Sequence, residues 1–233
     1  MSDVKSPPQY IRSRGIRMPN NPKFITQKQR RLLRTGNYEI KEFEAIMKIV
    51  RPEDTVIEIG AGIGFMSTVI AKRKGAKKVV AVEANPGLIP HIKAVHEAND
   101  VSNVEVINAV LGPRKGPPVN FYVRGEFSAS SLEDNVGDKH GGIVSTEKVE
   151  VMNINTLFKD LKPTILVCDI EGAEANLLPA TDLSCLRAAV VELHPQWIGQ
   201  DGIQAVFDAM HKAGLTYFPR LSQSKVVTFK KDW

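Results

Sequence analysis

From Tyr38 onward, the apolar positions of the chain switch repeatedly between a helical period and short β-branched runs. In YEIKEFEAIMKIV, Ile40, Phe43, Met47 and Val50 fall on one helical face among charged neighbours, and Pro52 ends the helix. TVIEIG (55–60) and KVVAVEA (78–84) read as buried strands, and FMSTVIAKRKGA between them reads as one helix closed by Gly75. A further helix carries Leu88, Ile89, Ile92, Val95 and His96 on one side, and VEVINAVL (104–111) follows as a strand. Parallel strands joined by helices of this length call for right-handed crossovers.

The middle of the chain breaks the rhythm. PVNFYVRG and TEKVEVMNINTL read as two strands joined by a long polar, glycine-rich loop over 126–144. Alternation then resumes with TILVCDI (164–170), a short helix from Ala173, AAVVELH (188–194) and a helix bearing Ile203, Val206, Phe207 and Met210. TYFPRL and KVVTFKK, separated by SQS, give a terminal hairpin. The sum is an α/β chain with a doubly wound, mostly parallel sheet, whose ligands sit at the C-terminal ends of the strands.

Charge divides the chain unevenly. Nine basic residues, Lys5, Arg12, Arg14, Arg17, Lys23, Lys28, Arg30, Arg31 and Arg34, face Asp3 alone in the first 34 residues, leaving 22 basic against 25 acidic residues in the remainder. The first 36 residues, with SPPQY and MPNNPKF, read as an extended basic arm ahead of a domain over 37–233. Such an arm is either simply solvated or a contact for an acidic partner, whether nucleic acid, phospholipid or a phosphorylated substrate. No apolar run approaches the roughly 18 residues of a membrane span, and no secretory apolar core is visible near the N-terminus. Cys168 and Cys185 lack metal-knuckle spacing and read as small core residues, with a reducing cytoplasm as the default setting. Oligomeric state is not legible.

EIGAGIGF (58–65) runs a strand into Gly60, Ala61, Gly62 and Gly64, a turn whose small residues let backbone amides approach a ligand. The spacing is G-x-G-x-G, and Phe65 occupies the position of the third glycine of the dinucleotide fingerprint, which disfavours a nicotinamide oxidoreductase. Glu58 would repel phosphates there but suits an amine, and Glu83 closes the next strand where it can accept from ribose hydroxyls.

VCDIEGAEANLL (167–178) places Asp169 and Glu171 at another strand end. Two residues apart, they share a direction only on extended backbone. Paired there, one carboxylate could serve as a base toward a hydroxyl while the other faces a cofactor amine or a metal. The alternative is structural, with Asp169 capping and Glu171 favouring the start of the next helix. His194 ends the following strand and is a second candidate base, with Glu192 expected on the opposite face. A divalent cation would find only Asp169 and Glu171 as ligands, too few to assign one. Ser130 and Ser131 in the long loop are candidates for touching substrate.

VIEIGAGIGF followed by VVAVEANP resembles motifs I and II of class I S-adenosylmethionine-dependent methyltransferases. SASSL (128–132), CDIEGAEANLL and VVELHP (190–195) more specifically resemble the FkbM-type family, from about Tyr38 to the C-terminus. The resemblance implies a Rossmann-like seven-stranded sheet with an antiparallel last strand and S-adenosylmethionine as cofactor. It implies that Glu58, Gly60, Ala61 and Gly62 line the methionine half, with Asp169 beside them. Glu83 would hold the ribose, and Ala84 and Asn108 would lie at the adenine. It also implies O-methylation of a hydroxyl on a small molecule or glycan, with Asp169, Glu171 and His194 as catalytic candidates. The alternatives are a nucleic-acid or protein methyltransferase guided by the basic arm, and a non-catalytic protein that keeps the cofactor fold. DIEG stands in place of the D/N-P-P-aromatic element of amino-nitrogen base methylation, and aromatic residues make up only 6% of the chain, leaving few stacking platforms.

Overall fold

The computed structural model describes residues 9–125, 130–132, 134 and 142–232. In chain order it begins with β1 (Tyr10–Ser13), β2 (Ile16–Pro19), α1 (Gln27–Thr35), α2 (Ile40–Ile49) and β3 (Thr55–Ile59). Then come α3 (Phe65–Thr68), continued by a π-helical turn over Val69–Arg73, β4 (Lys78–Glu83), α4 (Ile89–Ala98), β5 (Val104–Asn108), β6 (Val110–Gly112), β7 (Gly116–Arg124) and β8 (Ile143–Asn153). The chain ends with α5 (Ile154–Leu161), β9 (Ile165–Cys168), α6 (Glu174–Leu177), β10 (Ala188–Glu192), α7 (Pro195–Lys212), β11 (Thr216–Tyr217) and β12 (Val226–Lys230).

The main sheet has seven strands in the order β11-β12-β10-β9-β3-β4-β5. β5, β4, β3, β9 and β10 pair in parallel, whereas the last strand, β12, is antiparallel to both β10 and β11. The doubly wound sheet with its antiparallel finish is therefore present as expected. Val56, Val167 and Val190 point to one face, among residues of α2, α3 and α4. Ile57, Leu166 and Val191 point to the other, among residues of α5, α6 and α7. This two-sided burial explains why the central strands read as unbroken apolar runs.

A clasp closes the sheet at its N-terminal end. Asp54, almost fully buried, accepts hydrogen bonds from Arg187, Thr164 and the Arg51 amide. Burial opposes its charge, but these donors outweigh burial and hold its pKa below the ordinary carboxylate value. The opposite rim, at the C-terminal strand ends, is left for chemistry.

The N-terminal segment departs from the expected extended arm. β1 and β2 form a hairpin whose turn, Arg14 and Gly15, takes positive φ at both residues (49° and 84°), the requirement of a type I′ turn. Thr26 and Gln29 form a reciprocal capping box at the start of α1, and Gly36 at φ 71° ends it. Ile11, Ile16, Met18, Phe24, Ile25 and Leu33 belong to the same core as Val56 and Ile92, so the boundary expected at 36/37 falls inside one packed body. Buried Asn99 fixes the hairpin: its side chain accepts from Arg17 N at 2.9 Å and donates to Arg17 O at 2.7 Å.

Other differences are local. The run over 104–111 divides at Ala109 between the main sheet and a small sheet of order β6-β8-β7. Residues 154–157, expected as the end of a strand, instead open α5, because the Asn153 side chain caps the amides of Asn155 and Thr156. Cys168 is buried as expected, but Cys185 is exposed. Most of the loop over 126–144, including Ser128 and Ala129 of SASSL, lies outside the described residues.

Candidate active site

Two strand ends interlock at the C-terminal rim. After β3, the amides of Gly60 and Ala61 both donate to Val82 O, at 2.9 and 3.1 Å. Gly60 takes φ 87°, and a Cβ placed on it would stand 1.8 Å from the carbonyl oxygen of Asp169. Only glycine permits this approach, which sets the glycine loop directly against the end of β9. Gly62 N donates to Glu83 Oε2 and Asn85 N to Glu83 Oε1, each at 2.8 Å. The Glu83 carboxyl is thus aimed by two backbone amides, and burial pushes its pKa up to about 7 against those bonds.

Asn108 and Ala84 lie beside it. The Asn108 amide nitrogen donates to the carbonyls of Glu83 (2.9 Å) and Ala84 (3.0 Å), so it braces the strand end. Glu58 is 2% exposed, and its Oε2 is buried with no hydrogen-bond partner among the described residues. Burial, followed by the charge of Glu39, raises its pKa well above the ordinary value. A buried carboxylate oxygen without a donor, beside a glycine turn that any side chain would fill, fits an amine-bearing cofactor.

Asp169, Glu171 and His194 come together, although not by the extended backbone that the spacing required. β9 stops at Cys168 and Glu171 takes φ 48°, so the turn itself swings both carboxylates toward His194. His194 Nε2 lies 3.3 Å from Glu171 Oε2 and 3.5 Å from Asp169 Oδ1. Its Nδ1 is 3.1 Å from Glu174 Oε1, which also accepts the His194 backbone amide at 2.9 Å, while Glu174 Oε2 accepts Gly172 N at 2.8 Å. Burial disfavours charge on Glu174, but these hydrogen bonds outweigh it and keep the group ionised. An ionised Glu174 favours hydrogen on Nδ1 and leaves Nε2 facing the two carboxylates; burial disfavours charge on the ring, but the Glu174 hydrogen bond and the charge of Glu171 outweigh it and raise the His194 pKa above its ordinary value.

The site is more acidic than the sequence motif alone suggested. Burial, then Glu192, Glu171 and Glu42, raise the Asp169 pKa well above the ordinary value. The expectation that Glu192 faces away is incorrect: residues two apart on a strand share a face, and Glu192 joins Asp169 in this group. Glu39 and Glu42 reach the group from the start of α2, and the pKa of Glu42 is pushed to about 7, chiefly by burial. The buried Tyr38 ring meets Phe65 edge-on, and burial, followed by the charge of Glu39, raises its hydroxyl pKa. Glu174 was visible as the last acid of D-x-E-G-A-E, and Tyr38 and Glu39 were visible as residues ahead of β3 that could fold over the site, whereas Glu42 gave no local signal because a distant helix start delivers it.

Ser130 and Ser131 are tied to β7. Ser130 Oγ accepts from Arg124 N (3.0 Å), Ser131 pairs with Tyr122 through both backbone groups, and Arg124 Nη1 donates to Ser131 Oγ (3.1 Å).

With this geometry in view, the comparisons are consistent with one another. The sequence matches the methyltransferase FkbM domain over residues 58–220. The chain belongs to the FkbM methyltransferase family. Ribosomal RNA small subunit methyltransferase A of Alkaliphilus metalliredigens is 51% identical over 59 residues, covering 25% of this chain and 19% of that protein. Ribosomal protein L11 methyltransferase of Clostridium perfringens is 35% identical over 75 residues, covering 31% and 24%. The chain therefore spans about a quarter or less of these curated relatives. The crystal structure of M. jannaschii TYW2 in complex with AdoMet superposes with a TM-score of 0.51 at 14% identity, covering 98% of this chain and 86% of that one, a likeness of fold.

Proposed function

We propose that this FkbM-family chain transfers the methyl group of S-adenosylmethionine to a hydroxyl group of a small molecule or sugar. The observation that carries the reading is the interlock of the glycine loop with the end of β9, which puts the Glu58 carboxyl, whose Oε2 has no hydrogen-bond partner among the described residues, close to the Asp169–Glu171–His194 group. In this reading Glu58 and the Gly60–Gly62 turn receive the methionine amine, with Asp169 beside them. Glu83, aimed by two amides, accepts from the ribose hydroxyls, and Ala84 and the braced end of β5 at Asn108 line the adenine. The cofactor supplies an activated methyl on sulfur. The protein's part is to align the acceptor in line with it and to ease loss of the hydroxyl proton.

Asp169, Glu171 and His194 stand where that proton must go, and Glu174 positions the imidazole. The transferred methyl forms a carbon–oxygen bond as its bond to sulfur breaks, and the hydroxyl proton passes to this group. Calorimetric titration with S-adenosylmethionine, S-adenosylhomocysteine and NAD tests the first half of the reading. Saturable binding of the two sulfur compounds and not of NAD supports it, and the reverse pattern overturns it. Binding without transfer to any hydroxylated acceptor would favour a non-catalytic protein.

A nucleic-acid acceptor is favoured by a different observation. Arg12, Lys23, Lys28, Arg31 and Arg34 are exposed on the hairpin, the segment after it and α1. Because this segment is part of the core, truncation would test stability and not binding. Lys28→Glu with Arg31→Glu and Arg34→Glu should weaken RNA binding and flatten its salt dependence if this surface is used, and should change neither if it is only solvated.

A further inference from the structure

We infer that Asp169, Glu171 and His194 form a binding site for a divalent first-row transition-metal ion. One ligand atom from each of the three lies within 4.8 Å of the other two, close enough for a single ion to touch all three. The donors come from two adjacent strand ends, with Asp169 and Glu171 following β9 and His194 following β10.

Two observations go beyond the presence of acids. The His194 side chain is 3% exposed, and its Nε2 is aimed at the two carboxylates at distances longer than good hydrogen bonds. Asp169 Oδ1 is itself buried without a hydrogen-bond partner among the described residues. The imidazole nitrogen and the buried carboxylate oxygen pair at 3.5 Å without a hydrogen bond, and an ion placed between them would satisfy both.

The surroundings of the histidine have the form that metal-binding histidines require. Glu174 holds Nδ1 and is itself fixed by the amides of Gly172 and His194. Such a carboxylate behind the imidazole sets the tautomer and strengthens the other nitrogen as a ligand. One nitrogen and two carboxylate donors suit Mn²⁺, Fe²⁺, Co²⁺ or Zn²⁺ better than Mg²⁺ or Ca²⁺, which favour all-oxygen sets. Three protein ligands leave positions for an oxygen of the acceptor. That use rests on the hydroxyl reading above, but the ion site itself does not.

The test is Mn²⁺ titration of the metal-stripped full-length protein, followed by electron paramagnetic resonance of free Mn²⁺ and by calorimetry. One saturable site per chain is expected. Asp169→Asn, Glu171→Gln and His194→Ala should each weaken it at least tenfold, and Glu174→Gln by about 10–100-fold. Glu171 is exposed, so Glu171→Gln should keep the wild-type melting temperature and separates ligand loss from misfolding. Asp201→Asn, an exposed acid on α7, should leave Mn²⁺ affinity unchanged. Absence of saturable binding to the folded wild type, or wild-type affinity in both Asp169→Asn and His194→Ala, overturns the inference. S-adenosylmethionine titration of the stripped protein separates the two claims. If the cofactor binds and Mn²⁺ does not, the ion site fails alone; if Mn²⁺ binds and the cofactor does not, the methyltransferase reading fails alone.

Discussion

Gly60 and the backbone carbonyl of Asp169 occupy space that a single methyl group would close, since a Cβ on Gly60 would lie 1.8 Å from that oxygen. Gly60→Ala must push the glycine loop away from β9 and also strain a residue at φ 87°. A loss of about 1–3 kcal/mol in stability is expected, with S-adenosylmethionine affinity falling at least tenfold. Chemical denaturation and calorimetry measure the two effects, and normal cofactor binding in this variant would separate the loop from the cofactor.

Asp169→Asn removes a carboxyl from the proton-accepting group while keeping the shape of the side chain. Turnover should fall by about 10²–10⁴-fold, with cofactor affinity changed far less. Single-turnover methyl transfer beside a binding isotherm gives both numbers. Intact turnover with tight binding would show that the acids only brace the α6 turn.

Glu83 makes cofactor affinity depend on pH. Its pKa near 7 means that the carboxylate is largely protonated at pH 6 and ionised at pH 8. Ribose hydroxyls donate to the ionised form, so binding favours proton release and affinity rises with pH through 7. Below that value it should fall, approaching tenfold per pH unit at the limit. Titrations at pH 6, 7 and 8 should show this slope, and Glu83→Gln should be weaker and flatter.

Asn99→Ala tests whether the hairpin is part of the domain. The change leaves the Arg17 amide and carbonyl without their partner and removes a further bond to Val95 O. Each buried group left unpaired costs about 1–3 kcal/mol, so the melting temperature should drop by several degrees. Limited proteolysis should then cut first within residues 9–36. An unchanged melting temperature would mean that the hairpin contributes little.

The central strands were legible because they are buried on both faces, and the rim was legible because glycines and acids cluster at strand ends. The N-terminal hairpin was missed although its signals were local: Arg14-Gly15 between alternating apolar residues, and Thr26-x-x-Gln29 before α1. High charge concealed them, since Arg14 is spent on Gly36 O and the Phe43 ring instead of on solvent. For the site, sequence spacing named Asp169, Glu171 and His194 but supplied the wrong reason. A left-handed residue at Glu171, not an extended strand, makes them converge. Glu42 could not be found by spacing at all, because more than a hundred residues of chain separate it from Asp169.

The gathering of Glu39, Glu42, Glu58, Asp169, Glu171 and Glu192 between the start of α2 and the C-terminal strand ends also changes how an acceptor can be sought. Burial and neighbouring acids disfavour charge on Glu39, Glu42, Glu58 and Asp169, and any molecule that brings positive charge among them offsets this. Thermal melting then becomes a search tool: compounds and ions that raise the transition temperature of the wild type, but not of Asp169→Asn, report on this rim before any reaction has been detected.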